Sequence, residues 1–185
     1  MSSTRLTYPL ISLLLLTCLL VQTPSVAAQE PGEHQIKAAM IYNMLRFMDW
    51  PEDNLPGQTP QMTICVAGKG PLGSAMASLQ GKTVKNRPIT IQQLPAAPVT
   101  VSGCEVLILS DLERASVNSL LEKTRTAPVL TVSDSRGFAR SGGVVGFVLQ
   151  QGKVRFEINQ AAAQRHRLRI SAQLLKLAQI VTETP

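Results

Sequence analysis

A glycine-rich turn is the clearest ligand-binding pattern in this sequence. It follows the spacing Gly-x-Gly-x-x-Gly between a predicted strand and a predicted helix, which is typical of turns that bind the phosphates of a dinucleotide. The acidic residue expected about 20 positions later, which would bind the ribose, is missing, since residues 54–104 contain no Asp or Glu. The pattern therefore favours a tight turn that could still bind a small anion, and we expect no cofactor. The residues of this candidate anion turn are Gly68, Lys69, Gly70 and Gly73.

Side chains suited to nucleophilic or acid–base catalysis are few. The histidines are His34, near the start of a predicted helix, and His166, within a basic run. Positive neighbours disfavour the protonated form of His166, and the run indicates a solvated basic surface. No Gly-x-Ser-x-Gly motif is present, and the carboxylates are scattered, so no acid–base pair can be named. We therefore expect no catalytic residues and a protein that is not an enzyme.

The N-terminus has the pattern of a secretory signal peptide. The positive charge of Arg5 precedes an apolar run of about a dozen residues, and small residues follow up to Ala28. The run is shorter than the ~20 residues of a spanning helix, which argues against the alternative of a retained membrane anchor. We expect a signal peptide over 1–28, one exported domain over 29–185, and no membrane span in the mature chain.

The net charge of +6 is compatible with several kinds of partner. Nucleic acid is not an expected partner of an exported protein. An acidic protein surface, an anionic ligand or a membrane face fits the charge better.

Two cysteines remain in the predicted mature chain, Cys65 and Cys104. An even pair in an oxidising compartment most simply forms a disulfide, and the alternative is two buried free thiols. We expect no metal site, because neither a Cys-x-x-Cys motif nor paired histidines accompany them.

The single tryptophan, Trp50, has two interpretations. It fills the core where the first helix meets Pro51, or it joins Phe47, Met44 and Met48 in an apolar binding surface.

Hydrophobic periodicity predicts the elements that position these residues. The predicted helices cover 33–50, 72–79 and 112–124, and two more begin after the caps Asn159 and Ser171, the last with Leu174, Leu177, Ala178 and Val181 as its apolar stripe. The predicted strands cover 62–67, 89–94, 105–110, 129–132, 144–149 and 153–158. Ser110 or Asp111 is expected to cap the helix over 112–124, and Gln151-Gly152 to join the last two strands as a hairpin. Strands alternating with helices predict an α/β fold, a three-layer α/β/α sandwich around a mixed sheet.

The whole mature chain resembles the YfiR family of periplasmic regulators, also called DUF4154. The segments that carry the resemblance are, in order, 36–43 with Phe47 and Trp50-Pro51, 64–68, 104–107, 130–134, 142–143 with Phe147, 154–159, and 168–171 with Leu174, Leu175, Leu177 and Ala178. Each segment alone is weak, and their order and spacing together are specific.

This resemblance implies a function, a compartment and partners. Proteins of the YfiR type bind the periplasmic sensing domain of an inner-membrane diguanylate cyclase and hold it inactive, which lowers cyclic di-GMP. An outer-membrane lipoprotein can sequester them, and the family tends to form homodimers. The alternative function is a periplasmic binding protein for a nucleotide or an aromatic amino acid, serving another membrane sensor such as a histidine kinase.

The resemblance also implies site residues. Cys65 and Cys104 align with one family disulfide, whereas the second cysteine pair of the best-known member is missing from 139–146, which puts redox control by that bridge in doubt. Glu157, Arg169 and Asn159 match positions of a pocket for a ligand or a partner. A surface salt bridge between Glu157 and Arg169, of little energetic weight, is the alternative.

Overall fold

The computed structural model describes residues 32–51, 60–95 and 101–184, so the predicted signal peptide lies outside the described residues. In this part of the chain, a mixed sheet has the strand order β10-β8-β7-β6-β5-β2-β4-β3. The strands of this sheet are β2 (Met62–Ala67), β3 (Thr83–Val84), β4 (Arg87–Gln93), β5 (Val106–Leu109), β6 (Leu130–Ser133), β7 (Val145–Gln150), β8 (Lys153–Asn159) and β10 (Gln179–Val181). A separate two-stranded sheet pairs β1 (Met48–Asp49) with β9 (Arg169–Ile170).

Helices cover both faces of the large sheet. The helices are α1 (Glu33–Leu45), α2 (Pro71–Ala75), α3 (Arg114–Thr124), α4 (Gln160–Arg165) and α5 (Ala172–Leu175), with 3-10 turns at Met76–Leu79 and Ala139–Ser141. Strand β2 carries apolar side chains on both faces of the sheet, so a layer of helices is needed on each face to bury them. Ile64 packs in the cluster that α1, α2, α4 and α5 cover, whereas Cys65 packs in the cluster that α3 covers. The predicted three-layer α/β/α sandwich around a mixed sheet is confirmed.

The first helix ends earlier than predicted. It stops at Leu45, and Met48–Asp49 form β1, antiparallel to β9. The prediction of a helix to residue 50 was wrong because a buried Met48 fits the helical period and the strand equally well. Pairing with a strand 120 residues later decides the outcome, and the backbone of Ser171 extends it by donating to the carbonyl of Phe47 at 2.9 Å.

The predicted hairpin and two helix caps are confirmed. Gln151 and Gly152 both have positive φ, at 51° and 72°, as a two-residue turn between antiparallel strands requires. The Asn159 side chain accepts from the backbone N–H of Ala162 at 2.9 Å. The Ser171 hydroxyl accepts from the backbone N–H of Leu174 at the start of α5, at 3.3 Å. These local signals were sufficient because each of them is satisfied within a few residues.

Two predicted details of the helices were wrong. Helix α3 begins after Glu113 without a side-chain cap, because Asp111 has a positive φ of 55° and the Ser110 hydroxyl is used elsewhere. The last helix ends at Leu175, and its predicted continuation becomes strand β10, parallel to β8. The stripe that was assigned to a longer helix is therefore divided, and Leu177 is left 72% exposed.

Candidate functional site

The two cysteines form a disulfide. Cys65 lies within β2, and Cys104 lies just before the adjacent strand β5, with 5.7 Å between their Cα atoms. Both residues are buried, in the cluster beneath α3. The bridge therefore fastens two neighbouring strands inside the protein, and it does not lie at an exposed site.

The glycine-rich turn packs against the end of β5. A Cβ on Gly70 would lie 2.5 Å from the hydroxyl oxygen of Ser110, and one on Gly73 would lie 2.7 Å from a methyl group of Val66. Gly68 has a φ of 91°, and its Cβ would overlap the Ser110 carbonyl oxygen. Close packing against a neighbouring strand therefore accounts for all three glycines of the pattern.

Ser110 also occupies backbone donors of this turn. Its hydroxyl accepts from the N–H of Gly73 at 2.9 Å, and its carbonyl accepts from the N–H of Gly70 at 3.3 Å. In a dinucleotide-binding turn, such N–H groups point at phosphate oxygens. The serine therefore takes the position of an anion for these two donors, while Lys69 remains exposed.

The turn nevertheless lies where ligands often bind in open α/β sheets. Strands β4 and β5 flank β2, so the chain order reverses there, and the turn follows the carboxyl end of β2. A crevice of about 660 Å³ opens at this edge, with Gly68, Lys69, Gln93 and Lys123 among its lining residues. Anion binding by Gly68, Lys69, Gly70 and Gly73 stays a prediction.

Glu157 pairs with an arginine that the sequence analysis did not identify. Its side chain is 8% exposed, and its carboxylate accepts from the Nη2 and Nε groups of Arg140, at 2.9 Å and 3.3 Å. Arg140 lies in the 3-10 turn after β6, which Asn159 also holds by donating from Nδ2 to the Ala139 carbonyl at 2.8 Å. Glu157 and Asn159 are thus brought together around this turn.

Arg169 lies apart from these two residues. It is an exposed residue of β9, and its neighbour Ile170 packs with Phe156 in the cluster under α1. Glu157 is on the other face of β8, because side chains alternate along a strand. The structure therefore does not join Arg169 to the other residues of the predicted pocket, and a pocket role for Glu157, Asn159 and Arg169 stays a prediction.

An apolar groove opens between α1 and α5. It has a volume of about 160 Å³, and its lining consists of Met40, Asn43, Met44, Phe47, Phe156, Gln173, Leu174 and Leu177. Phe47 is 38% exposed and Leu177 is 72% exposed at its rim. Trp50 is not part of the groove, since it packs against the core and donates from its indole N–H to the Glu105 carbonyl at 3.1 Å. The core interpretation is therefore confirmed for Trp50, and Met48 is buried as well, whereas a binding surface that includes Phe47 stays a prediction.

The two histidines have structural partners. His34 lies 3.5 Å from the Asp134 carboxylate, which also binds the buried ammonium of Lys37 at 2.8 Å. Burial lowers the pKa of Lys37, but its hydrogen bonds and charge interactions with Asp134 and Glu33 outweigh burial and raise the pKa above 10.5. This cluster ties the start of α1 to the end of β6.

His166 is buried, so the prediction that it belongs to a solvated basic surface was wrong. Arg165 and Arg167 point outward while His166 and Leu168 point inward, because the chain turns at the end of α4. The ring nitrogen Nδ1 lies 2.8 Å from the Ala127 carbonyl oxygen. Burial lowers the pKa of His166 below 6.5, the hydrogen bond to Ala127 opposes this, and the charge of Arg165 adds to it.

A buried ion pair also escaped the sequence analysis. Glu105 is 1% exposed and accepts from Arg87 at 2.6 Å and 2.9 Å, and from the backbone N–H of Thr63 at 3.1 Å. Glu105 was read as the edge of an apolar strand, and only the pairing of β2 with β4 brings Arg87 to it. The pair links β4 to the start of β5 across the intervening strand β2, and neither residue lines a cavity named above.

The described residues contain neither a candidate membrane span nor a candidate metal cluster. No helix there has the length and apolar character needed to cross a membrane. In the same residues, no three side chains among His, Cys, Asp and Glu are grouped so that they could bind a metal ion.

Comparison with known proteins identifies a family for this chain. The family model DUF4154, described as YfiR/HmsC-like, matches residues 34–179. The match extends from the first turn of α1 to the start of β10 and so spans nearly the whole described domain. No curated protein matches the chain.

Proposed function

The chain belongs to the YfiR/HmsC-like family, and from this membership we propose that it binds the periplasmic sensing domain of an inner-membrane diguanylate cyclase and holds the enzyme inactive. The family is one of periplasmic, non-catalytic regulators in cyclic di-GMP signalling. The match over residues 34–179 is the observation that carries the proposal. The signal peptide over 1–28 and its cleavage after Ala28 are part of the same proposal.

The apolar groove between α1 and α5 is the surface that we assign to the sensing domain. Phe47 and Leu177 expose large apolar side chains at its rim, and Ile180, three residues after Leu177, is 45% exposed in the edge strand β10. Exposed apolar side chains around a small cavity are the usual anchors of a protein–protein interface. A second copy of this chain is the competing occupant, and the experiments below distinguish the two.

Repression requires a difference in affinity between two states of the partner. A regulator shifts an equilibrium only as far as it binds one state better than the other. A shift of the cyclase from mostly active to mostly inactive needs a ratio of affinities on the order of 10⁴. The groove must therefore fit a surface that the sensing domain presents in its inactive state.

The first test measures cellular cyclic di-GMP in a strain that lacks the gene and in the same strain with the gene restored. We expect a rise on deletion that the restored gene reverses. An unchanged level, under conditions in which the candidate cyclases are expressed, would overturn the link to a cyclase.

The second test replaces one exposed leucine at a time with aspartate. Leu177→Asp places a charge at the groove, and we expect it to weaken binding to the purified sensing domain by roughly tenfold or more and to fail in complementation. Leu149→Asp is the matched control, because Leu149 is 58% exposed on the β7–β8 hairpin and does not line the groove. Equal repression by both variants would refute the assignment of the groove. A change in oligomeric state of Leu177→Asp by light scattering would assign the groove to a homodimer instead.

A homodimer and sequestration by an outer-membrane lipoprotein are further parts of the proposal, both supported by the family. Glu157, Asn159 and Arg169 remain the proposed contacts of a ligand or of such a partner. Because the structure separates Arg169 from the other two, Glu157→Gln and Arg169→Ala should impair different interactions. Equal loss of lipoprotein binding in both variants would contradict this separation.

A further inference from the structure

A third cavity, of about 600 Å³, opens on the α3 side of the domain and is lined by arginines. Helix α3 forms one wall, the turn after β6 forms another, and Arg165, His166, Glu183 and Thr184 complete the lining. We call it the arginine cleft, and its five guanidinium groups belong to Arg114, Arg125, Arg136, Arg140 and Arg165.

Positive charge in the arginine cleft exceeds the negative charge available to it. Its lining carboxylates are Glu122, which pairs with Arg125 at 3.5 Å, and Glu183, which pairs with Arg165 at 2.9 Å. Arg140 pairs with Glu157. Within the ranges that the structure describes, no carboxylate lies within 4.0 Å of Arg114 or Arg136. These two lining residues, one at the start of α3 and the other in the segment after β6, are thus left without a carboxylate partner among the described residues.

The wall of the cleft that follows β6 is held in place by backbone and packing contacts. The N–H of Thr184 donates to the carbonyl of Arg140 at 2.9 Å, which fastens the C-terminal segment to the 3-10 turn. Gly142 has a φ of 100°, and a Cβ there would lie 3.0 Å from the Glu183 carboxylate. Phe138 and Ala139 are buried and anchor the same turn. The backbone that carries Arg136 and Arg140 is therefore fixed, which reduces the ordering cost of binding a ligand there.

Five guanidinium groups around one cavity have a specific chemical use. Each is permanently charged and presents a planar set of donors that matches the oxygens of a phosphate or carboxylate. Like charges so close together repel one another, and an anion between them removes that repulsion. A volume of about 600 Å³ is that of a small-molecule site, and the charged lining excludes an apolar ligand.

We propose that the arginine cleft binds a small solute that carries two or more phosphate groups, with Arg114 and Arg136 as the principal contacts. A solute with two phosphates fits better than a single carboxylate, because the two arginines without a carboxylate partner come from different elements, α3 and the segment after β6, and each can bind its own anionic group. The site is distinct from the groove between α1 and α5. The inference does not depend on the proposed repression of a cyclase, and either can fail alone.

The test is calorimetric titration of the full mature chain with pyrophosphate at physiological ionic strength, which suppresses non-specific attraction. We expect saturable binding by the wild-type protein and at least a roughly tenfold weaker affinity for the double variant Arg114→Ala/Arg136→Ala. Both arginines are exposed, so the variant should fold, and its melting temperature provides the check. Lys153→Ala/Arg155→Ala is the matched control, since it removes two exposed positive charges outside the cleft and should leave affinity within about twofold.

Absence of saturable binding below millimolar pyrophosphate would overturn the proposal, and so would equal weakening in the two double variants. A second measurement separates a free solute from a lipid headgroup. Cardiolipin carries two phosphates, so sedimentation with cardiolipin vesicles that is lost in Arg114→Ala/Arg136→Ala assigns the headgroup as ligand. Pyrophosphate binding without vesicle binding assigns a free solute.

Discussion

Removal of the disulfide tests whether it is a structural bridge between β2 and β5. Cys65 and Cys104 are separated by 39 positions, and both are buried beneath α3. In the double variant Cys65→Ala/Cys104→Ala, the folded contacts change little, whereas the unfolded chain gains the freedom that the closed loop had removed. In the chain-entropy model, a loop of this length contributes about 4 kcal/mol at 25 °C. For a domain of about 150 residues, that loss lowers the melting temperature by about 8–16 °C.

The assay is thermal unfolding followed by circular dichroism, with wild-type protein under oxidising conditions as the reference. Wild-type protein that is reduced while unfolded and then refolded with its thiols blocked should melt close to the double variant. Because the sulfurs are buried, a mild reductant should act on the folded protein only as fast as the protein opens. A variant that melts within about 3 °C of wild type would refute the argument from loop closure. Complete reduction of the native protein within minutes would refute the argument from burial and favour a redox switch.

Three further predictions concern other parts of the domain. Gly68→Ala should lower the free energy of unfolding, measured in urea, by about 2–4 kcal/mol, because a Cβ there collides with a backbone carbonyl at positive φ. Gly81→Ala is the control, also at positive φ but with no atom within 4 Å of its Cβ, and it should cost about 1 kcal/mol. His166 has a lowered pKa in the folded state, so the unfolded chain binds the proton first on acidification. The free energy of unfolding should therefore fall as the pH drops below 6.5. His166→Asn should reduce that pH dependence, as measured by denaturation curves at several pH values. Glu105→Ala should cost about 3 kcal/mol in the same assay, since it removes the carboxylate that Arg87 binds inside the protein, and a change below about 1 kcal/mol would show that the pair is dispensable.

The parts of the fold that were predicted from sequence are those that depend on nearby residues. Strand β2 has the predicted bounds, 62–67, because an apolar run of this length between turn residues is typical of a buried strand and is too short for most helices. The hairpin at Gln151-Gly152 and the cap at Asn159 are likewise settled within a few positions. The end of α1 and the existence of β10 depend instead on strands distant along the chain, and periodicity alone could not find them.

The glycine-rich turn shows why a motif can have the right local context and a different role. Its strand, turn and helix are where the dinucleotide pattern requires them. The residue that satisfies its N–H groups, Ser110, lies 37 positions after Gly73 and reaches it only because β5 pairs with β2. No property of the turn itself could indicate this serine.

Glu157 also has a contact partner that its own segment of the sequence does not indicate. The family resemblance predicts a pocket role for Glu157 beside Arg169, but its contact partner in the structure is Arg140, from a turn that precedes β7, while Arg169 lies in the two-stranded sheet. A partner that binds at Glu157 must therefore either displace Arg140 from the carboxylate or bind the intact Glu157–Arg140 ion pair. Because the Glu157 side chain is 8% exposed and that of Arg140 is 44% exposed, removal of Arg140 leaves a buried carboxylate uncompensated, and Arg140→Ala should disturb the local structure more than Glu157→Gln does. The double variant Glu157→Gln/Arg140→Ala measures how strongly the two residues depend on each other, and we expect it to be less damaging than the sum of the two separate effects.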